Sequence, residues 1–188
     1  MRALSARIAG TILFLGGVQF TIVMVIAEAI YPAYSVSANY ISDLGVGPTA
    51  TLFNISVSLL GLTALLAAYF AQRTFHRPIL TALFAIAGAG TIGVGLFPET
   101  VEPTHLLVSL VAFLFGAVSA IAAYPLEKRP LNHLSPLMGV FSLAALSLFA
   151  AGVYLGLGPG GMERMIAYPI LLWLIGFGAQ LMGGLPGN

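Results

Sequence analysis

Five residue types suited to chemistry stand out in an otherwise inert chain. Ser42 and Asp43 stand together in "SANYISDLGVGP" (Ser37–Pro48), His105 follows Glu99 and Glu102, and Glu163 and Arg164 form the pair "ER". A serine hydroxyl can act as a nucleophile, and an aspartate beside an imidazole can orient it as a general base. Arginine presents a planar fork suited to phosphate or carboxylate. The same residues also allow a plainer arrangement. Asp43 caps a turn or pairs with Arg164, His105 bonds a loop carbonyl, and Arg164 neutralises Asp43, Glu99 or Glu102. Spacing alone leaves both readings open, because neighbouring Ser and Asp side chains need not face the same way.

The elements that position these residues follow from composition. Of 188 residues, 59% are hydrophobic and 7% are charged. A soluble domain carries roughly 25% charged residues, so this chain lacks the charge to cover a water-facing surface. Uncharged apolar runs occupy residues 8–31, 52–72, 79–97, 106–124, 137–157 and 165–182, and Glu28 is the single charge inside them. Each approaches the roughly 20 residues that carry a helix across a bilayer core. Backbone groups in lipid must bond within their own segment. The expectation is an all-α protein of one domain, a polytopic six-helix bundle, with no alternating barrel pattern. Arg2 and Arg7 precede the first run as in a signal peptide, but that run is too long for a signal core, which is typically about 7–15 residues. It reads as a retained helix.

Basic residues set the expected orientation. Arg2, Arg7, Arg73, Arg77, Lys128 and Arg129 fall on one side and Arg164 alone on the other. Short loops rich in Lys and Arg stay cytoplasmic, which places both termini on the cytoplasmic side of the cell membrane. Residues 32–51, 98–105 and 158–164 then face outward, with Asp43, Glu99, Glu102 and Glu163 among them. With no cysteine, disulfides and thiolate chemistry are excluded. The lone outward His105 makes a zinc site improbable on ligand count, since catalytic zinc takes three protein ligands. No cofactor and no nucleic-acid partner is expected, and nothing in the chain speaks to its oligomeric state.

Small and polar residues recur at helical spacing. His105, Ser109, Ala112, Gly116 and Ser119 share a face, as do Asn54, Ser58 and Gly61. "GAGTIGVG" (Gly88–Gly95) lies in a spanning segment without the strand that a phosphate loop requires, so it reads as close helix packing. Pro169, Trp173, Gly176 and Gln180 read as a packing face with a polar anchor. A weak echo at an offset of 55 residues, with Ala67-Ala68-Tyr69 matching Ala122-Ala123-Tyr124, is compatible with a parallel two-helix repeat.

"NYISDLGVGPTATLFN" (Asn39–Asn54), "GVGLFPE" (Gly93–Glu99) followed by His105, and "GMER…YP…W" (Gly161–Trp173) together resemble the domain of unknown function 998 family. That resemblance implies a six-helix prokaryotic membrane protein. The "YISD-G" loop and later histidine are more distantly similar to DRAM / Sfk-type membrane proteins, which implies a lipid-facing role for the loop. Alkaline-ceramidase-like hydrolases combine Ser, Asp and several His, but this chain has too few histidines on one side. The reading is a protein of the membrane that binds a lipid or other amphiphile in an outward pocket. Its polar anchors are Asp43, His105 and Arg164, supported by Asn39, Ser42, Glu99 and Glu163. The alternatives are a lipid hydrolase or transferase using His105 and Asp43, with Ser42 as a further catalytic candidate, and a small transporter or channel.

Overall fold

The computed structural model describes residues 2–184. Six helices account for most of them: α1 (Arg2–Ile30), α2 (Ala50–Phe75), α3 (Pro78–Leu96), α4 (Thr104–Ala122), α5 (Leu131–Ala150) and α6 (Gly158–Met182). No strand occurs among the described residues. All six are long and apolar enough to cross a membrane. Large apolar side chains such as Leu15, Ile55, Leu106, Leu137 and Leu172 point outward from the bundle.

Each helix packs on its sequence neighbours, and α6 closes the ring against α1 while also touching α4. Residues 31–49, 97–103 and 151–157 gather at one end, called here the loop end. The start of α1, the end of α6 and the turns after α2 and α4 gather at the other, called the terminal end. Ring closure depends on paired glycines. A Cβ on Gly10 would sit 2.6 Å from the Gly178 carbonyl oxygen, and one on Gly178 would sit 2.8 Å from that of Gly10. The α3 glycine run works on two sides. Gly88 and Gly95 face α2, at Gly61 and at Asn54–Ser58, while Gly90 and Gly93 face Val108–Ala112 of α4. Small residues on both flanks let α3 sit close to two neighbours at once.

Three helix starts and one helix end differ markedly from the apolar runs. α1 begins at Arg2 rather than Ile8, and α5 ends at Ala150 rather than Leu157. α5 begins at Leu131 and passes through Pro136 rather than beginning at Leu137. α6 begins at Gly158, with Pro159 in its first turn, rather than at Met165. Hydropathy marks where lipid-compatible side chains run, whereas a helix starts where hydrogen bonding starts, and proline fits a first turn. Glu163 and Arg164 therefore belong to the body of α6 and not to a loop.

An aromatic layer crosses the bundle. Trp173, Phe84 of α3 and Phe177 form a triangle of near-parallel rings, with centroids 5.7 Å from Trp173 to each phenylalanine and 6.2 Å between the phenylalanines. Trp173 Nε1 donates to Glu127 Oε1 at 2.8 Å. Gln180 anchors the turn after α4, accepting from the Lys128 amide at 2.6 Å and donating to the Leu126 carbonyl at 3.3 Å.

Candidate functional site

The segment between α1 and α2 folds back over the bundle and bonds largely to itself. Asp43 Oδ2 accepts from Asn39 Nδ2 at 2.8 Å and from the Tyr40 amide at 3.1 Å, which closes a tight polar turn. Asn39 Oδ1 accepts the Ser35 amide at 3.0 Å. Two short 3-10 turns follow, Ser42–Gly45 and Gly47–Thr49. Thr49 Oγ1 donates to the Leu44 carbonyl and Asn54 Nδ2 to the Gly45 carbonyl. Ile41 and Leu44 are buried against the helices beneath. A buried backbone must satisfy its polar groups, and the short polar side chains of this loop do so. The polar residues of "SANYISDLG" thus make the loop a lid.

Arg164 fastens that lid to α6. It is 2% exposed, and its Nη1 donates to the carbonyls of Val36 (3.1 Å), Asn39 (3.1 Å) and Gly160 (2.8 Å). Its Nη2 donates to Glu28 Oε1 and to Tyr34 Oη, both at 2.6 Å. The guanidinium also lies 5.6 Å from the Tyr34 ring centre. Burial pushes the Tyr34 phenol up to about 12, with the Arg164 contact opposing the shift. The Gly160 amide donates to Ser37 O at 2.9 Å, and Ser37 Oγ donates to Leu157 O at 2.7 Å. The ionic partner of Arg164 is Glu28 of α1, not Asp43, Glu99 or Glu102. Both of its terminal nitrogens are occupied by protein acceptors, and its Nε is buried with no partner among the described residues. Glu28 and Tyr34 are the members of this clasp that sequence reasoning left out. The signal was present, since a charge inside an apolar run calls for a partner.

Glu163 points the other way around α6. It is 7% exposed, and Oε2 accepts the Ile41 amide at 2.5 Å. Glu99 approaches Asp43 from the loop before α4. Burial first, and then the neighbouring Asp43, push the Glu99 carboxyl up to about 7, with the Ser42 hydroxyl opposing. Asp43 and Glu99 line an outer recess with Tyr31, Val46 and Thr100.

His105 is buried at the start of α4. Its Nδ1 lies 2.7 Å from the Phe97 carbonyl and its Nε2 lies 3.3 Å from Ser109 Oγ. A carbonyl only accepts, so Nδ1 carries the hydrogen, and in the neutral ring Nε2 accepts from the serine. His105 therefore ties the end of α3 to α4. Asp43 and His105 belong to separate hydrogen-bonding sets, and Asp43 and Arg164 meet through Asn39, which bonds to both.

Beneath the lid lies a cavity of about 100 Å³. Its wall comes from α1, α2, α3, α4 and α6 and is apolar, with Phe20, Phe53, Val57, Phe113 and Leu171 prominent. The polar lining groups are Ser42, Thr91, Ser109 and Glu163. Thr91 donates to its own helix at Ala87 O, and Ser109 is engaged with His105. Along α6 the lining residues Glu163, Ala167, Ile170 and Leu171 precede Trp173, so the aromatic layer underlies the cavity. Ser42 contributes to the cavity lining and Asp43 to the outer recess, while the side chains of both meet Glu99.

A second buried carboxyl lies at the terminal end. Glu127 is 7% exposed, and its Oε2 has no partner among the described residues. Burial pushes this carboxyl up, with Ser135 and Trp173 opposing. Its position just before "KR" hid it in the sequence as one more loop charge.

A bundle of six apolar helices, five of them lining a cavity, with ionisable groups drawn to its ends, defines a multi-pass helical membrane protein. The chain belongs to the family described as protein of unknown function (DUF998), which matches residues 14–180. No curated protein and no solved structure matches it.

Proposed function

We propose that this protein binds an amphiphile, with the apolar part in the cavity under the lid and the polar part at the loop end. The carrying observation is the uneven lining of the cavity. Its walls are hydrocarbon, and its carboxyl, Glu163, lies directly under the lid beside Ile41. An apolar cavity of about 150 Å³ takes up a molecule the size of benzene, so the hydrocarbon part of this smaller one accommodates a short stretch of an apolar chain. Ligand sites pair a largely apolar lining with a few placed polar groups. The loop end faces away from the cytoplasm on the positive-inside reading, since six of the seven Lys and Arg lie toward the other end. The ligand then enters from the outer leaflet.

A hydrolase built on His105 and Asp43 draws less support, because each is already held by other partners. The test is retention of amphiphiles by the purified protein, read by native mass spectrometry after release from detergent. Ala112→Phe places a ring into the cavity from α4. The parent should retain bound amphiphile and the Ala112→Phe variant should lose it while melting at a similar temperature. A parent that retains nothing, or a variant that retains as much as the parent, overturns the proposal.

A further inference from the structure

The charge around the cavity goes beyond binding to selectivity. The loop end holds five acids, Glu28, Asp43, Glu99, Glu102 and Glu163, against one cation, Arg164. Glu28 is matched by Arg164, and Arg164 has both terminal nitrogens spent on protein acceptors. No cation remains at this end to meet an anionic headgroup.

Glu163 supplies the second, independent observation. It is more than nine-tenths buried and lines the cavity. Oε2 takes the Ile41 amide, while Oε1 receives no hydrogen bond from the described residues. Its neighbour Arg164 turns away to Glu28, so Glu163 has no ion pair within contact distance among those residues. A buried carboxylate without a cation is costly. Asp43 and Glu99 stand outside the same lid, next to Ser42, and add negative potential at the mouth.

We infer that the ligand is a lipophilic monocation, an ammonium or quaternary ammonium on an apolar tail, seated with its charge on Glu163 beneath the lid and its tail in the cavity. This rests on the amphiphile reading above and narrows it. The charge supplies the partner that Glu163 lacks, and the walls Phe20, Phe53 and Phe113 receive the tail. The acids at the mouth raise the local concentration of cations and disfavour anionic tails of the same length.

The test uses the full protein in neutral-lipid nanodiscs with radiolabelled decyltrimethylammonium as probe. Competitors are tail-matched: decylamine, neutral decyl glucoside and decyl sulfate. Decylamine should compete at a concentration at least about tenfold lower than decyl glucoside, a difference of about 1.4 kcal/mol, with decyl sulfate weakest. Glu163→Gln keeps an acceptor for the Ile41 amide and should bring decylamine and decyl glucoside together. Glu99→Gln leaves the lid contacts of Glu163 in place and should narrow the gap by a smaller factor. Equal competition by all three head types, or a cation preference unchanged in both variants, overturns the inference while leaving amphiphile binding intact. Absence of binding by every probe, with Ala112→Phe indistinguishable from the parent, overturns the amphiphile reading and the inference with it.

Discussion

Replacing Arg164 with glutamine removes the clasp between α1, the lid and α6. Arg164 is 2% exposed and Glu28 is 15% exposed, so the pair is largely out of water. Removing one partner of such a pair costs about 3–5 kcal/mol, because the remaining charge is left uncompensated. The carbonyls of Val36 and Asn39 lose their donor as well, at about 1–3 kcal/mol each if they stay buried. These costs overlap, since a lid that lifts away re-wets all of them together. The lower figure of about 3 kcal/mol is therefore the expected loss. At about 2–4 °C per kcal/mol for a chain of this size, it lowers Tm by at least about 6 °C. Trp173 emission and size-exclusion melting curves in mild detergent follow the loss. Chymotrypsin should cut at Tyr34 or Tyr40 in the variant under conditions that spare the parent. Glu28→Gln should be damaging for the same reason. The Glu28→Gln/Arg164→Gln double variant should cost less than the sum of the singles by about 1 kcal/mol or more. An Arg164→Gln melt within about 2 °C of the parent, or strictly additive singles, would refute the claim that this pair holds the lid.

Three further outcomes follow from the same geometry. Gly160→Ala drives a Cβ into the Asn39 carbonyl oxygen. It should open the lid to chymotrypsin although Arg164 is intact, and an unchanged digestion pattern would count against the docking described here. Glu99, displaced upward from 4.5 to about 7, binds its proton more tightly in the folded chain than in the unfolded one. Its contribution is most favourable below the ordinary carboxyl value and is lost as pH rises to about 7. Glu99→Gln should flatten the fall in Tm over that window, and an unaltered slope would reject the assignment. Trp173→Phe keeps a ring in the stack but takes the Nε1 donor from Glu127, whose other oxygen is already unpartnered. The expected loss is about 1–3 kcal/mol, recovered in part when Glu127→Leu is added; a neutral Trp173→Phe melt would show that the bond contributes little.

Hydropathy made the six spans legible because a segment in lipid must satisfy its backbone alone, so its character is local. The α3 glycines were legible as packing residues for a similar reason, since a helix without bulk on two flanks invites two close neighbours. The chain also displayed its acids gathered between particular helices, and with them the end of the bundle that carries the lid. Tertiary structure decided the pairings. Arg164 meets Glu28, 136 residues earlier, because α6 closes the ring against α1. His105 turns to Phe97 and Ser109, and Asp43 to its own loop, because those acceptors and donors lie nearest once α3, α4 and the lid are in place. The neighbours Ser42 and Asp43 line different spaces, the cavity and the outer recess, yet both side chains meet at Glu99, which the fold brings in from the loop before α4. A 3-10 turn points successive side chains in different directions, and only the helices beneath determine which of those directions is inside.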